Sequence, residues 1–317
     1  MLRCALLNRK LLDFDDSLDF SPIRAVTALR IFDESTTSQV REQATDMQVL
    51  ITKEQEISAE IMKDLPSVRL ICEAGTGYDR IDVKAAKELG VVVCNVPAYS
   101  TAAVAQLVLS FLLGIACGTL DIARRLGQND RSDHLVRPVR APFELRARIL
   151  GVVGAGSIGG EVARSARALG MEVRVYSRHE RDWGDPGIRQ CSLEELLATS
   201  DFVSLHLPLS EFTRGIISRE RLANMRPGAW IINTARGGLI DEQALVEALA
   251  AGALGGAALD VQDPEPPCPE SPLWSMKNVL LTPHIGWKAT EARQRLIGQL
   301  AENICAFAAG KPINQVS

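Results

Sequence analysis

The chain has 317 residues, enough for about two domains at ~100–200 residues each. Apolar residues make up 46% and charged residues 23%, ordinary proportions for a globular protein. A net charge of −4 gives no electrostatic case for nucleic acid or an anionic membrane as partner.

Met1 to Asn8 reads as a short strand, Leu2–Leu7, and lacks the apolar core of a signal peptide. Further strands are expected at Val49–Ile51, Leu70–Cys72 and Val91–Cys94, with a helical pattern over Ile81–Leu89. From Leu89 to Leu120 there is no charged residue. A window of ~20 apolar residues would license a membrane span. Asn95, Pro97, Gln106 and Ser110 interrupt this one, and no second span follows. The expectation is one long buried helix from Thr101 to about Arg125, with a subunit interface covering one side of it. The seven cysteines (4, 72, 94, 117, 191, 268 and 305) include no C-x-x-C pair. An odd, scattered set in apolar contexts reads as reduced core thiols of a cytoplasmic protein, and no metal site is expected.

The stretch from Ile149 to Gly160 is the most informative. A buried-strand run enters Gly154-x-Gly156-x-x-Gly159, and a helix pattern follows from Glu161. Gly154 is expected to make the tight turn and Gly156 to let backbone N–H groups reach a pyrophosphate. Gly159 lets helix and strand pack closely. The strand Val173–Tyr176 closes a βαβ unit, the context that this fingerprint requires. An acidic residue at the end of that strand would hold the ribose 2′-hydroxyl and repel a 2′-phosphate. Ser177 and Arg178 stand there instead, which favours NADP(H) over NAD(H), because arginine suits phosphate.

Strands are then expected at Phe202–Leu205, Ala229–Asn233, Ala257–Leu259 and Val279–Leu281. Helical patterns cover Glu194–Ala198, Asp241–Ala251 and Ala289–Ala309. Alternating strands and helices indicate an α/β protein with doubly wound parallel sheets. Three polar residues fall just past strand ends, where such sheets bind ligands. Arg236 follows Ile232-Asn233-Thr234-Ala235, and its planar fork can hold a carboxylate. Glu265 lies in the Pro-rich loop after Asp260. His284 alone of the four histidines sits between a strand and a Gly-containing turn. A carboxylate anchor, a carbonyl polariser and a proton donor are what reduction of a 2-oxo acid by a nicotinamide coenzyme needs.

Across nearly its whole length the chain resembles the D-isomer-specific 2-hydroxyacid dehydrogenases. The resemblance rests on Gly75-Thr76-Gly77-Tyr78-Asp79, Asn95-Val96-Pro97, the glycine fingerprint and His206-Leu207-Pro208-Leu209. It continues through Met225 to Gly228, Asn233 to Gly237, Asp260 to Pro266, Thr282 to Gly286 and Gly310-Lys311-Pro312. It implies a Rossmann coenzyme domain, residues 99–285, inserted into a flavodoxin-like substrate domain of residues 1–98 and 286–317. It implies Arg236, Glu265 and His284 as the catalytic set. Thr76, Gly77 and Trp287 join Arg236 and His284 around the substrate. Coenzyme contacts are implied for Gly154, Gly156, Ser157, Ile158 and Gly159, and for Ser177 and Arg178. Others are His206, Leu207, Pro208, Thr213, Thr234, Ala235 and Asp260, the last near the nicotinamide carboxamide. The chain would be a homodimer built on the helix after Thr101.

Gln106 and Gln262 depart from the commonest pattern, where glutamate and phenylalanine are frequent. Phe143-Glu144-Leu145 and Gly286-Trp287 look most like the branch of glycerate dehydrogenases and hydroxypyruvate and glyoxylate reductases. The expected reaction is NAD(P)H-dependent reduction of a small 2-oxo acid to its D-2-hydroxy acid, such as hydroxypyruvate to D-glycerate or glyoxylate to glycolate. Two alternatives share the motifs: a dimeric, dinucleotide-sensing corepressor-like binding protein, and a formate-type dehydrogenase.

Overall fold

A computed structural model describes residues 1–127 and 141–317. The chain divides into two compact units, one of Met1–Ser100 with Lys288–Ser317 and the other of Thr101–Trp287.

The first unit opens with β1 (Leu2–Leu6), α1 (Arg9–Leu12), α2 (Ser21–Val26) and β2 (Thr27–Ile31). It continues with α3 (Thr37–Gln43), β3 (Val49–Thr52), α4 (Ala59–Lys63), β4 (Leu70–Glu73), α5 (Val83–Glu88) and β5 (Val92–Cys94). Its five strands lie in the order β2-β1-β3-β4-β5 and every pairing is parallel. That is the doubly wound order of flavodoxin-like folds. β3 and β4 are buried at every position, as strands covered by helices on both faces must be. β2 was not evident from sequence. It is an edge strand in which buried and exposed positions alternate, with no apolar run.

The second unit begins with α6 (Thr101–Cys117) and α7 (Thr119–Gly127). The single helix expected over this stretch is therefore two. Gly118 adopts φ +68°, a left-handed conformation that ends α6, and the chain turns by 79°. Leu120 then folds back over Gly114, where any Cβ would lie 2.5 Å from its Cδ1. No single helix among the described residues is long and apolar enough to cross a membrane.

Next come β6 (Ile149–Val153), α8 (Ser157–Ala168), β7 (Glu172–Tyr176), β8 (Ile188–Gln190), α9 (Leu193–Thr199) and β9 (Phe202–Leu205). The unit ends with α10 (Arg219–Ala223), β10 (Trp230–Asn233), α11 (Glu242–Ala250), β11 (Gly256–Leu259) and β12 (Val279–Leu281). The seven strands run in the order β12-β11-β10-β9-β6-β7-β8, all parallel. Strand order reverses between β6 and β9, which places the switch point beside the glycine fingerprint. β8, only three residues long, had no periodicity to betray it. Two core clusters cover the sheet. One includes Leu196, Leu222 and Leu245, the other Val108, Leu112, Val162 and Ala166. The last helix, α12 (Thr290–Ala308), packs on α2 and β4 of the first unit.

The cysteines correct one expectation. Cys4, Cys72 and Cys94 are buried, but Cys117, Cys268 and Cys305 are exposed and cannot be core thiols. Each of these three falls at or beyond the end of a regular apolar pattern, in a turn or on the outer face of a helix. Among the described residues no cluster of side chains could hold a metal ion.

Candidate active site

The glycine fingerprint forms the turn from β6 into α8. Gly154 has φ +102°, and a Cβ there would sit 2.8 Å from the carbonyl oxygen of His206. A Cβ on Gly159 would lie 1.9 Å from the Gly154 carbonyl oxygen, so helix and turn touch only because residue 159 is glycine. Gly156 differs from both, since a Cβ there would meet no protein atom within 4 Å. It is the N-cap of α8 and offers no side-chain cap to the first turn. The N–H groups of the exposed Ser157 and half-buried Ile158 begin that turn. An uncapped helix N-terminus beside open space suits a phosphate.

At the end of β7, Ser177 is half-buried and Arg178 exposed. Gln190 shapes this corner by donating to the carbonyls of Ser177 and His179 at 3.0 and 3.2 Å. The guanidinium of Arg181 stacks over Trp183 at 4.8 Å.

The segment leaving β9 carries His206, Leu207 and Pro208. The His206 ring pairs with Ser204 through Nε2 at 2.9 Å, and loss of water pushes its pKa down to about 4. Leu207 packs against Gly154. Thr213 closes the loop by donating its hydroxyl to the Pro208 carbonyl at 2.6 Å.

β10 ends in a turn built by Asn233, which is fully buried. Its Oδ1 accepts from the Ala235 N–H at 3.0 Å and its Nδ2 donates to the Arg236 carbonyl at 2.8 Å. Arg236, half-buried, donates Nη1 to the Ala235 carbonyl at 2.8 Å. Thr234 is buried, and its hydroxyl has no hydrogen-bond partner among the described residues. A buried hydroxyl left this way at a strand end fits a missing ligand. Gly237 permits a close approach of two backbone segments. A Cβ there would lie 2.1 Å from the carbonyl carbon and oxygen of Gln262.

Glu265 and His284 meet. His284 Nδ1 lies 2.8 Å from Glu265 Oε1, with the two side chains 30% and 32% exposed. His284 has φ +51°, uncommon for a residue with a Cβ. Its N–H donates to the Asp260 and Thr282 carbonyls at 2.9 and 3.0 Å. The Asp260 carboxylate braces the same turn. It accepts from Thr282 Oγ1 at 2.6 Å and from the N–H groups of Ile285 and Gly286, each at 2.8 Å. Most of its acceptor capacity is thus committed to the turn that holds His284 in its left-handed conformation. Trp287 is buried beyond that turn, at 5% exposure.

Sequence reasoning passed over Asn233, Gly237, Gln262 and Thr282 as active-site supports. Asparagine as the last residue of a strand is a known turn builder and could have been flagged. The contact of Gly237 with Gln262 is invisible without the fold.

In the first unit, the 75–77 loop follows β4. Asn95 Nδ2 donates to the Thr76 carbonyl at 2.7 Å, and Thr76 Oγ1 donates to the Val96 carbonyl at 2.9 Å. Thr76 is exposed and Gly77 half-buried. Below this loop Glu73 is 5% exposed and accepts from Thr52 Oγ1 at 2.7 Å. Burial pushes its carboxyl up to about 7, against the pull of Lys53.

A dinucleotide fingerprint at the switch point of a doubly wound sheet, with an Arg, a Glu and a His at the ends of three of its strands, describes a nicotinamide-dependent oxidoreductase. Residues 110–286 match the family model for the NAD-binding domain of D-isomer specific 2-hydroxyacid dehydrogenases. The chain is 33% identical to a hydroxypyruvate reductase of Blautia hydrogenotrophica, over 95% of each chain. The chain belongs to the D-isomer-specific 2-hydroxyacid dehydrogenase family. Among solved structures, an acyclic imino acid reductase in complex with NADPH and D-Arg has a TM-score of 0.86 and 28% identity, with 99% of this chain and 100% of that one covered. A D-lactate dehydrogenase of Aquifex aeolicus, complexed with NAD and lactic acid, has a TM-score of 0.86 and 25% identity, over 99% and 100%. The chain is accordingly an oxidoreductase with an NAD-binding domain.

Proposed function

We propose that this enzyme interconverts a small 2-oxo acid and its D-2-hydroxy acid, with hydroxypyruvate and glyoxylate as preferred oxo acids. The observation that carries the reading is the Glu265–His284 hydrogen bond at 2.8 Å. It uses Nδ1 and leaves Nε2 to exchange a proton with substrate. A carboxylate at that distance fixes the orientation of the ring.

The nicotinamide coenzyme, when bound, supplies or accepts the hydride. The N–H groups of Ser157 and Ile158 hold its pyrophosphate beside Gly156, and Thr234, Ala235 and Asp260 serve its nicotinamide end. His206, Leu207, Pro208 and Thr213 complete the coenzyme wall. Arg236 binds the substrate carboxylate, and Trp287 borders the substrate. Arg236 also draws charge onto the 2-oxo oxygen, where negative charge develops during reduction. His284 gives that oxygen its proton and takes it back in the oxidative direction. Ser177 and Arg178 select NADP(H) over NAD(H). The enzyme acts as a cytoplasmic homodimer, with the exposed Leu113, Leu120 and Leu126 of α6 and α7 supplying apolar surface to the partner copy.

The test is steady-state turnover of hydroxypyruvate, glyoxylate, pyruvate, phenylpyruvate and formate, each with NADH and NADPH, for the parent and His284→Gln. Loss of a general acid should cut turnover by roughly 10²–10⁴-fold with coenzyme binding near normal. A His284→Gln enzyme as active as the parent would remove His284 from the mechanism. Coenzyme binding without turnover of any oxo acid would favour the sensor alternative.

A further inference from the structure

Arg214 lies one residue past Thr213, in the loop that leaves β9. Its Nη1 is 3.1 Å from Asp263 Oδ2, two residues before Glu265. The pair is half-open to solvent, with side-chain exposures of 62% and 49%. An isolated pair of this kind stabilises a fold little. Its location is unusual, however. It lies over Gly238, where a Cβ would come within 2.9 Å of Asp263 Oδ2 and 3.0 Å of Arg214 Nη1. Gly238 is the second residue after Arg236. One ion pair therefore touches the turn of Arg236, the loop of Glu265 and the loop of Thr213.

The other ties in this region point the same way. The Gly215 N–H donates to the Gly238 carbonyl at 2.8 Å, and the Ile217 N–H to the Leu239 carbonyl at 2.9 Å. These fix the root of the β9 loop to the Arg236 turn. Beyond Asp263 the chain is Pro264-Glu265-Pro266-Pro267, whose three prolines have no N–H to donate. The Glu265 side chain then depends on Asp263 on one side and on His284 on the other.

We propose that Arg214 is a positioning residue: through Asp263 it sets where the Glu265 carboxylate stands against His284, and it links that position to the loop that carries Thr213. The inference rests on the reading of Glu265 and His284 given above. Arg214 contacts neither substrate nor the reacting atoms in this scheme. Its removal loosens the Glu265 loop without emptying the site. A full ångström of misplacement costs ~10²-fold in rate, so loosening should cost roughly 10-fold.

The test uses the full-length enzyme with Arg214→Gln, Asp263→Asn and the reciprocal pair Arg214→Asp with Asp263→Arg. Each single variant should lower kcat roughly 10-fold, leave the melting temperature and the coenzyme Kd near the parent values, and shift the pH limb of the reductive rate in the direction that Glu265→Gln shifts it. The reciprocal pair should recover most of kcat and the parent limb. A kcat and limb equal to the parent's would overturn the proposal. So would a fall in melting temperature with the limb unmoved, which marks a merely structural pair. Weakened coenzyme binding that accounts for the whole loss would make Arg214 a coenzyme contact instead. His284→Gln, run alongside, separates the two levels. If it is inactive while the Arg214 variants behave as the parent, only this inference fails. If it is fully active, the underlying reading fails and takes the inference with it.

Discussion

Gly237→Ala is the sharpest test of how the site is assembled. The new methyl would lie 2.1 Å from the carbonyl carbon and oxygen of Gln262 and 2.6 Å from the Asp263 nitrogen. All three are backbone atoms, so no side chain can swing aside. Non-bonded carbon atoms rest at ~3.5–4.0 Å, so the two loops must part by roughly 1.4 Å. One of these loops carries Arg236 and the other Glu265, and the substitution separates them directly. Misplacement by ~1 Å costs ~10²-fold in rate, so kcat should fall by that factor or more. Overpacking of this kind costs about 1–3 kcal/mol, and the melting temperature should drop while the protein still folds. The pyrophosphate end should be untouched, because the fingerprint glycines lie on another turn, so any loss of coenzyme affinity should come from Thr234, Ala235 and Asp260 beside the parted segments. The assay is kcat and KM for hydroxypyruvate, coenzyme Kd by fluorescence titration, and thermal unfolding. A kcat within a few-fold of the parent would refute the reasoning. It would mean that the loops separate without disturbing chemistry, and that Arg236 and Glu265 do not act at a shared centre.

Other expectations follow from single residues. Gly156→Ala meets no protein atom within 4 Å, so thermal unfolding should be unchanged while coenzyme affinity falls; unchanged affinity would place the pyrophosphate elsewhere. Arg178→Ala should weaken NADPH much more than NADH, by roughly 10–150-fold if a charge-assisted contact is lost. Ser177→Asp should reverse preference more strongly, read as kcat/KM for both coenzymes at one ionic strength, whereas a parent that prefers NADH would sink the NADP(H) reading. Glu265→Gln should lower kcat, because the His284 ring loses the partner of its Nδ1, and an unchanged kcat would mean that the carboxylate does not act on this histidine. Glu73 has its carboxyl raised from 4.5 to about 7 by burial, so the folded state holds a proton that the unfolded chain releases. Its contribution to stability is full below pH 4.5 and is lost as pH rises to about 7. Glu73→Gln should flatten the melting temperature across that window, and an undiminished slope would assign it to another group.

The residues proposed to carry the chemistry stood out because strand ends punctuate the sequence. Arg236 and His284 each follow a short apolar run by a few residues, and the parallel sheet carries those runs to one edge. The glycine fingerprint was legible because three glycines at fixed spacing between a strand and a helix leave few other readings. What escaped was whatever depends on contact between distant segments. Gly237 and Gly238 look like ordinary turn glycines in sequence, yet one touches Gln262 and the other lies beneath the Arg214–Asp263 pair. The ties of the Asp260 carboxylate to Thr282, Ile285 and Gly286 were equally hidden. Apolar periodicity also missed the break at Gly118, because apolar residues continue from α6 into the amphipathic α7 and only the sign of φ reveals the turn.

The way His284 is held bears on why its neighbours matter so much. A histidine at φ +51° is not in the backbone conformation that its sequence neighbours would choose. Such a conformation persists only when the surroundings over-determine it. Here Asp260 does so, with its side-chain acceptors on the turn after His284 and its own carbonyl on the His284 N–H. The ring is then aimed by backbone strain from one side and by Glu265 from the other. Glu265 sits in a proline-rich loop that has little backbone hydrogen bonding of its own. One half of the dyad is rigid and the other is placed by side-chain ties. The loop of Glu265, rather than the turn of His284, is therefore where small structural changes should reach the proton-transfer step.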